Sequence, residues 1–262
     1  MEILLNDEFL KTNKKFLYEI IKEKYPNNFK DYILANVNGK IVDLNYKIFQ
    51  DDKIDLIKKY THIANLSYES TIALICMLAI EKIYKNKKVN IEYSVNNCLY
   101  LSVENFKILH KDIEKIKKEM ENLIKEDFPI VKKTYKKTEA LKIFKENDDL
   151  DKYNLLNSLD LNEINIYDVK DKFYFFTNYL CPKSSWIEDF DIIYYHPGIL
   201  INYKKSENSK LLDFKEQINI PKIYERSKRW TNLLGIKFAS DLNELVINDK
   251  IESLVNVNET YY

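Results

Sequence analysis

Glycine is scarce in this sequence, and the positions of the few glycines exclude two common nucleotide-binding motifs. The 262 residues contain only Gly39, Gly198 and Gly235, which lie far apart. The phosphate-binding motif GxxxxGK[ST] and the dinucleotide-binding motif GxGxxG both need clustered glycines, because the backbone must approach the phosphates closely. Neither motif is present, so the chain is not a self-sufficient P-loop kinase or a dehydrogenase with that fingerprint.

Histidine and cysteine are also few. The chain has three of each, namely His62, His110 and His196, and Cys76, Cys98 and Cys181. No histidines form an HxxxH or HxH pair and no cysteines form a CxxC pair, so we expect no metal site, no cofactor and no disulfide framework. Widely spaced, unpaired cysteines are typical of a reducing compartment, so we expect a cytoplasmic protein.

The sequence contains one candidate nucleophile–base pair. Cys181 together with His196 would serve a hydrolase that works without metal, provided that the two side chains lie within hydrogen-bond reach. A lone cysteine is more often a small buried hydrophobic residue. The distance between Cys181 and His196 in the structure decides whether a metal-free hydrolase is an option.

Positive and negative charges balance, with 41 Lys and Arg against 41 Asp and Glu. This is not the balance of a strongly basic nucleic-acid-binding protein, although it is compatible with a basic face on one side. The composition is that of an ordinary globular protein, and the length suggests two domains of ~150 residues each. The beginning of the chain lacks the pattern of a signal peptide, and the longest apolar stretch, at residues 72–80, is too short to span a bilayer. We expect no membrane association.

The first 62 residues predict a small β-grasp-like domain. Strand patterns cover residues 1–5, 32–37, 40–44 and 53–57, and apolar residues recur at helical spacing around residues 16–21. Asn38-Gly39 is a strong signal for the turn of a β-hairpin. Residues 63–262 form the second predicted domain.

The second domain mixes helices and antiparallel strands, so the predicted fold class is α+β. Residues 70–84 predict a buried helix, 89–95 a strand, and 112–127 an amphipathic helix that Pro129 stops. A further helix starts at Thr138, which we expect to be its N-cap. Aromatic-rich strands follow within residues 161–203, and helices at 223–234 and 241–247.

The only two arginines, Arg226 and Arg229, lie three positions apart on one face of a predicted helix, beside Trp230. Such a group could hold a phosphate or stack on a base. The simpler interpretation, which we favour, is an ion pair of arginine with a carboxylate while Trp230 packs in the core.

The residues of both predicted domains resemble a known arrangement. Residues 35–44 (ANVNGKIVDL) and 52–57 (DKIDLI) resemble the closing half of a TGS domain, the β-grasp module of threonyl-tRNA synthetases and stringent-response enzymes. Residues 79–84, 91–100, 111–129 and 190–200 resemble the second additional domain of the synthetase, which is its editing domain. The same pair forms the N-terminal part of bacterial uridine-kinase-like (nucleoside kinase) proteins. The sequence resembles the uridine-kinase-like proteins more than the synthetases. The positions that carry this resemblance are Pro182, Phe190-Asp191, Tyr195-His196-Pro197-Gly198, Glu225, Trp230, Gly235 and Asp241-Leu242-Asn243.

The sequence departs from this family at the residues that carry its chemistry. The synthetase domain edits mischarged tRNA with an HxxxH pair and a later Cys and His. The corresponding positions, counted without gaps, hold Ser70, Leu74, Phe176 and Leu180. These 262 residues also contain no P-loop kinase domain. The resemblance therefore implies a non-catalytic accessory region of a uridine-kinase-like protein, binding a nucleotide, an RNA end or a separately encoded kinase domain.

The expected ligand site is a cleft between the sheet and helices of the second domain, lined with aromatic and a few polar side chains. The predicted wall consists of Tyr93, Asn97, Tyr100, Tyr174 and His196, with Arg226 and Arg229 as phosphate contacts. Two alternatives remain, an RNA- or ribosome-binding adaptor and the metal-free hydrolase.

Overall fold

The computed structural model describes residues 1–85, 87–96, 98–207, 211, 214, 219–252 and 254–256. The chain divides into two compact units. The first comprises Met1–Val131 and Phe176–Phe214, and the second comprises Lys132–Phe175 and Lys215–Tyr262. The predicted domain boundary between residues 62 and 63 stays a prediction.

Within the described ranges the helices and strands follow one another in an order that is mixed and not a repeated βαβ pattern, which confirms the α+β class. In chain order they are β1 (Glu2–Leu5), β2 (Glu8–Lys11), α1 (Leu17–Lys24), β3 (Tyr32–Val37), β4 (Lys40–Asp43), β5 (Lys53–Lys58), α2 (His62–Ile83), β6 (Val89–Val95), β7 (Cys98–Val103), α3 (Ile113–Lys125), β8 (Val131–Lys136), α4 (Lys137–Glu146), α5 (Leu150–Ser158), β9 (Glu163–Val169), β10 (Lys172–Tyr174), β11 (Phe190–Tyr195), β12 (Gly198–Tyr203), α6 (Asn219–Leu233) and α7 (Ala239–Ile247).

The five-stranded sheet of the first unit has the β-grasp arrangement that the sequence predicted. Its strand order is β2-β1-β5-β3-β4, with β5 parallel to β1 and antiparallel to β3. Asn38 and Gly39 have φ angles of 51° and 84°, as a two-residue type I′ hairpin turn requires. Strand β2 was not predicted, although Asn6-Asp7 forms a turn of the same kind, with φ angles of 48° and 64°.

Helix α1 buries Leu17, Ile20 and Ile21 against this sheet. The core that results is not confined to the first 62 residues, because Ala64, Cys181 and Trp186 belong to the same cluster of buried side chains. Three widely separated parts of the chain therefore close one core in the first unit.

Helix α2 is the apolar helix of the prediction, but it starts at His62, eight positions before the predicted residue 70. The Thr61 hydroxyl caps it by accepting a hydrogen bond from the Ala64 backbone N–H at 3.4 Å. With 22 residues, α2 meets the criteria for a membrane span by length and composition only. Two thirds of its most apolar window (67%) is buried inside the structure, as in a core helix.

A four-stranded antiparallel sheet, in the order β11-β12-β7-β6, completes the first unit together with α3. Helix α3 buries Ile113, Ile116, Met120 and Leu123 on one face and ends before Pro129, as predicted. It contacts both α2 and β11. Ion pairs of 2.6 Å between Lys82 and Glu119 and of 2.7 Å between Lys117 and Asp191 join these elements.

The second unit has a three-stranded sheet in the order β10-β9-β8. Its core contains Phe144, Leu156 and Ile166. Helix α4 begins one residue before Thr138, with Lys136 as N-cap, so the N-cap prediction was wrong; the Glu139 carboxylate accepts from the Lys136 N–H instead. Helix α5 was not predicted, whereas α6 and α7 confirm the two predicted C-terminal helices.

Candidate functional site

The positions assigned to editing chemistry lie on α2 and on the segment that crosses it. The Asn178 amide donates to the Ser70 hydroxyl at 3.1 Å, and the Cys181 backbone N–H donates to the Thr71 hydroxyl at 2.8 Å. These two bonds hold residues 178–181 against the middle of α2. Tertiary structure thus brings together parts of the chain that are more than a hundred residues apart.

The four side chains at the editing positions are unsuited to acid–base or metal chemistry. Ser70 is 7% exposed and engaged with Asn178, Leu74 is 0% exposed and Leu180 is 1% exposed. Phe176 is half-buried. Three of the four are hydrocarbon side chains, which neither ligate a metal nor transfer a proton, and the fourth is a hydroxyl held in a structural hydrogen bond.

Cys181 does not form the nucleophile–base pair with His196 that the sequence left open. Its side chain is fully buried in the β-grasp core, whereas His196 is exposed in the turn between β11 and β12. Burial raises the pKa of the Cys181 thiol to about 12. At neutral pH the thiol is therefore protonated and out of reach of a substrate, and the reactive thiolate is absent.

The predicted aromatic wall is present in part on the four-stranded sheet. Tyr93 and Tyr100 pair across β6 and β7, with ring centroids 4.9 Å apart. The row continues from Tyr100 to Tyr195 at 5.4 Å and from Tyr195 to Phe214 at 5.6 Å. Tyr100 and Tyr195 are buried and pack in one hydrophobic cluster. Of these rings Tyr93 and Phe214 are half-buried, so a ligand would meet these two first.

A glycine makes this packing possible. A Cβ atom on Gly198 would lie 2.0 Å from the Leu101 carbonyl oxygen and 3.0 Å from the Tyr100 ring. No side chain fits between β12 and β7 at this point. Because glycine has none, the Tyr100 ring can lie close to the β12 backbone.

His196 follows β11 and precedes Pro197 through a cis peptide bond. Its Nδ1 atom lies 3.3 Å from the Tyr194 hydroxyl, within hydrogen-bond distance. The Tyr194 ring also lies 5.6 Å from the ring of His110. Asn97 lies outside the described residues.

The other predicted contacts belong to the second unit. Tyr174 ends β10 and is buried. Arg226 and Arg229 are both exposed on α6, and Arg229 forms an i,i+4 ion pair with Glu225 at 3.7 Å. For Arg229 the ion pair of the favoured interpretation is thus what the structure shows, whereas Trp230 is only half-buried.

A small pocket that sequence reasoning missed lies at the N-terminal end of α2. Lys59, Tyr60, Asn65, Tyr68, Glu188, Asp189 and Lys204 line it. Lys59 pairs with Asp31 at 2.7 Å and with Glu188 at 3.4 Å, so its charge is balanced locally. Tyr60 has a φ of 72°, which is rare for a bulky residue. No signal in the sequence predicts this pocket, because its residues come from three separate segments.

Metal ligands are not clustered in the part of the chain that the structure describes, since no three His, Cys, Asp or Glu side chains come together there.

The chain is similar to threonine–tRNA ligases. It is 33% identical to the ligase of Natranaerobius thermophilus over 118 residues, which is 45% of this chain and 19% of the relative. It is 33% identical to the ligase of Thermotoga petrophila over 153 residues, or 57% and 23% of the two chains. With the ligase of Bacillus velezensis it shares 29% over 171 residues, or 64% and 26%. No family model matches the chain.

The chain thus spans about a fifth to a quarter of the length of the curated relatives that it matches. The similarity agrees with the predicted architecture of a β-grasp sheet followed by an α+β region like the synthetase editing domain. The relatives named here are ligases, so the link to uridine-kinase-like proteins stays a proposal.

Proposed function

We propose that this chain is a non-catalytic accessory region related to the threonyl-tRNA synthetase editing domain, which binds a nucleotide or an RNA end in the cytoplasm without hydrolysing it. More specifically, we propose that the chain acts together with a nucleoside kinase domain, as in uridine-kinase-like proteins. The observation that carries the proposal is that the four positions that correspond to the editing residues, counted without gaps, hold Ser70, Leu74, Phe176 and Leu180.

The environment of these residues supports a loss of catalysis with retention of the fold. The Asn178–Ser70 and Cys181–Thr71 hydrogen bonds hold the crossing segment on α2. Hydrolysis of an ester requires a group that activates water or a nucleophile within reach of its base. Neither is present at these positions, and the buried thiol of Cys181 does not supply one.

Binding is supported by the kind of side chains that remain. Tyr93 offers a half-buried aromatic ring, and His196 an exposed imidazole, on one sheet of the first unit. Arg226 and Arg229 offer exposed guanidinium groups on α6 of the second unit. Aromatic rings and guanidinium groups are the partners that nucleobases and phosphates use most.

The first experiment is a thermal-shift screen of the whole chain with nucleosides, nucleotides, alarmones and short RNA mimics of a tRNA acceptor end. A ligand at about 100 times its Kd stabilises the fold by about 2.7 kcal/mol. This corresponds to a rise in Tm of roughly 5 to 10 °C for a protein of this size. A shift with one ligand class is expected, and no shift with any class would contradict the binding proposal.

Two controls sharpen the screen. An Arg226→Ala/Arg229→Ala variant should lose the shift, whereas a Lys222→Ala/Lys237→Ala variant, which removes two exposed cations of the same unit, should keep it. In parallel, the chain should not accelerate the deacylation of mischarged threonine tRNA above the rate in buffer. Enzymatic turnover in that assay would disprove the non-catalytic part of the proposal.

A further inference from the structure

An exposed aromatic surface beside the β-grasp sheet is not used by the proposed function. It is built from two segments, residues 15–18 and 44–49, that run side by side. Backbone hydrogen bonds join them, from Leu17 to Tyr46 at 3.0 Å, from Tyr18 to Leu44 at 2.9 Å and from Ile48 to Lys15 at 3.0 Å. Phe16 and Lys47 form an isolated antiparallel bridge between the segments.

The alternation along these segments sends some side chains inward and leaves others in solvent. Leu17 and Ile48 are 0% and 2% exposed and belong to the core. Phe16 and Phe49 are 38% and 53% exposed. The Phe16 ring stacks on Tyr18, with centroids 6.2 Å apart at an angle of 20°. We call the surface formed by Phe16, Tyr18, Tyr46 and Phe49, with Lys15 and Lys47, the aromatic patch.

The cations of the aromatic patch are not neutralised by carboxylates. The Lys47 ammonium lies 5.8 Å from the centre of the Phe49 ring, and Lys15 is exposed beside Phe16. Among the described residues neither lysine forms an ion pair. The nearby Glu19 carboxylate accepts hydrogen bonds from the backbone N–H groups of Lys15 and Phe16, both at 3.1 Å, so it caps α1.

We propose that the aromatic patch binds single-stranded RNA, with bases stacked on Phe16 and Phe49 and with phosphates contacted by Lys15 and Lys47. Exposed aromatic rings interleaved with unpaired lysines are the surface that unpaired nucleic acid recognises, because every base has a flat face and every linkage a negative charge. The core of a protein interface is depleted of charged residues, whereas lysines lie among the rings of the aromatic patch. The inference goes beyond the proposed function, since it uses neither α2 nor the two arginines.

The test is fluorescence anisotropy of the whole chain with a labelled oligouridylate of about 12 nucleotides, a length within the range that single-strand binders cover. The Phe49→Ala variant should bind about tenfold more weakly, and Phe49→Tyr should restore the affinity because it keeps the ring. The Lys15→Gln/Lys47→Gln variant should lower the slope of log affinity against log salt by about 1.4, or 0.7 for each lost phosphate contact.

Matched controls are available on the same sheet. Phe9 on β2 is 80% exposed, and Lys40 on β4 is exposed and has no ion pair with another described residue, so Phe9→Ala and Lys40→Gln should bind like the wild type. Circular dichroism establishes that each variant is folded. The proposal is overturned if the wild type does not bind the oligonucleotide at low salt, if the patch variants keep its affinity and salt slope, or if a duplex of equal length binds as tightly. A thermal shift with nucleotides that persists in those cases would leave the proposed function intact.

Discussion

At the scale of single residues, burial decides which of the reactive groups can react. Cys181 was a possible nucleophile in the sequence, but the structure encloses its side chain between the β-grasp core and α2. A thiolate in that position would lose its hydration without gaining a countercharge, which is why the pKa is raised to about 12. Cys76 on α2 is also fully buried, and its pKa is raised for the same reason.

This burial makes the free energy of unfolding decrease at alkaline pH. The unfolded thiol ionises near its ordinary value of 9.0, whereas the folded thiol stays protonated up to about 12. The stabilisation that the buried, protonated thiol provides is therefore fully present below pH 9.0. It is lost as the pH rises from 9.0 to about 12. Each such thiol should reduce the free energy of unfolding by about 1.4 kcal/mol per pH unit there.

The measurement is urea unfolding of the wild type and of Cys181→Ala from about pH 8 to 10. The variant starts less stable because it leaves a cavity, but its stability should decline less steeply with pH. Iodoacetamide should label Cys181 only after unfolding. Equal slopes together with rapid labelling of the native protein would show that the thiol is accessible.

At the scale of elements, the contact between β12 and β7 depends on Gly198. Its backbone dihedrals are not the reason, because Gly198, unlike Gly39 and Gly235, does not have a positive φ. The reason is space, since a methyl group would meet the Leu101 carbonyl oxygen at 2.0 Å and that atom belongs to a neighbouring strand. The strand cannot yield without breaking the ladder that aligns Tyr100 with Tyr93.

We therefore expect Gly198→Ala to destabilise the protein by about 1 to 3 kcal/mol, the usual cost of forcing an extra methyl group into a packed site. His196→Ala, two residues away but exposed, should change stability by less than about 0.5 kcal/mol. Chemical denaturation of both variants provides the comparison. A Gly198→Ala protein as stable as the wild type would mean that β12 shifts freely against β7.

At the scale of the whole molecule, the β-grasp sheet is completed by later parts of the chain. The indole N–H of Trp186 donates to the Tyr32 carbonyl at 3.0 Å, and the Tyr179 hydroxyl donates to the Ile41 carbonyl at 2.8 Å. The Asn45 amide donates to the Ile130 carbonyl at 3.0 Å. All of these contacts lie within the first unit.

A peptide of residues 1–62 should for this reason not fold stably alone. It would expose the surface that Trp186 and Cys181 cover, and a domain of this size has little stability to spare. The check is far-UV circular dichroism with a thermal melt. In the whole chain, Trp186→Ala should cost about 3 to 5 kcal/mol. A cooperative melt of the peptide would instead show that the predicted domain of residues 1–62 is autonomous.

Local patterns predicted most elements but not their partners. The alternation in β6 and the Asn38-Gly39 turn act within a few residues, so both were predictable. Strand β7 is almost wholly buried and has no alternation, and β2 is mostly exposed, so neither stood out. The start of α2 was not predicted because its first two turns carry polar residues. The Thr61 cap alone marks the N-terminal end of the helix.

The sequence by itself determined that clustered glycines, an HxxxH pair and a CxxC pair are absent, because these are facts of linear spacing. It also determined the class of fold, because hydrophobic periodicity is a local property. Tertiary structure alone decided that Asn178 meets Ser70, that Phe16 and Phe49 share a surface, and that Cys181 cannot ionise at neutral pH. Each of these depends on which distant segments pack together, and that is settled by the burial of side chains across the entire first unit, not by the neighbours of any one residue.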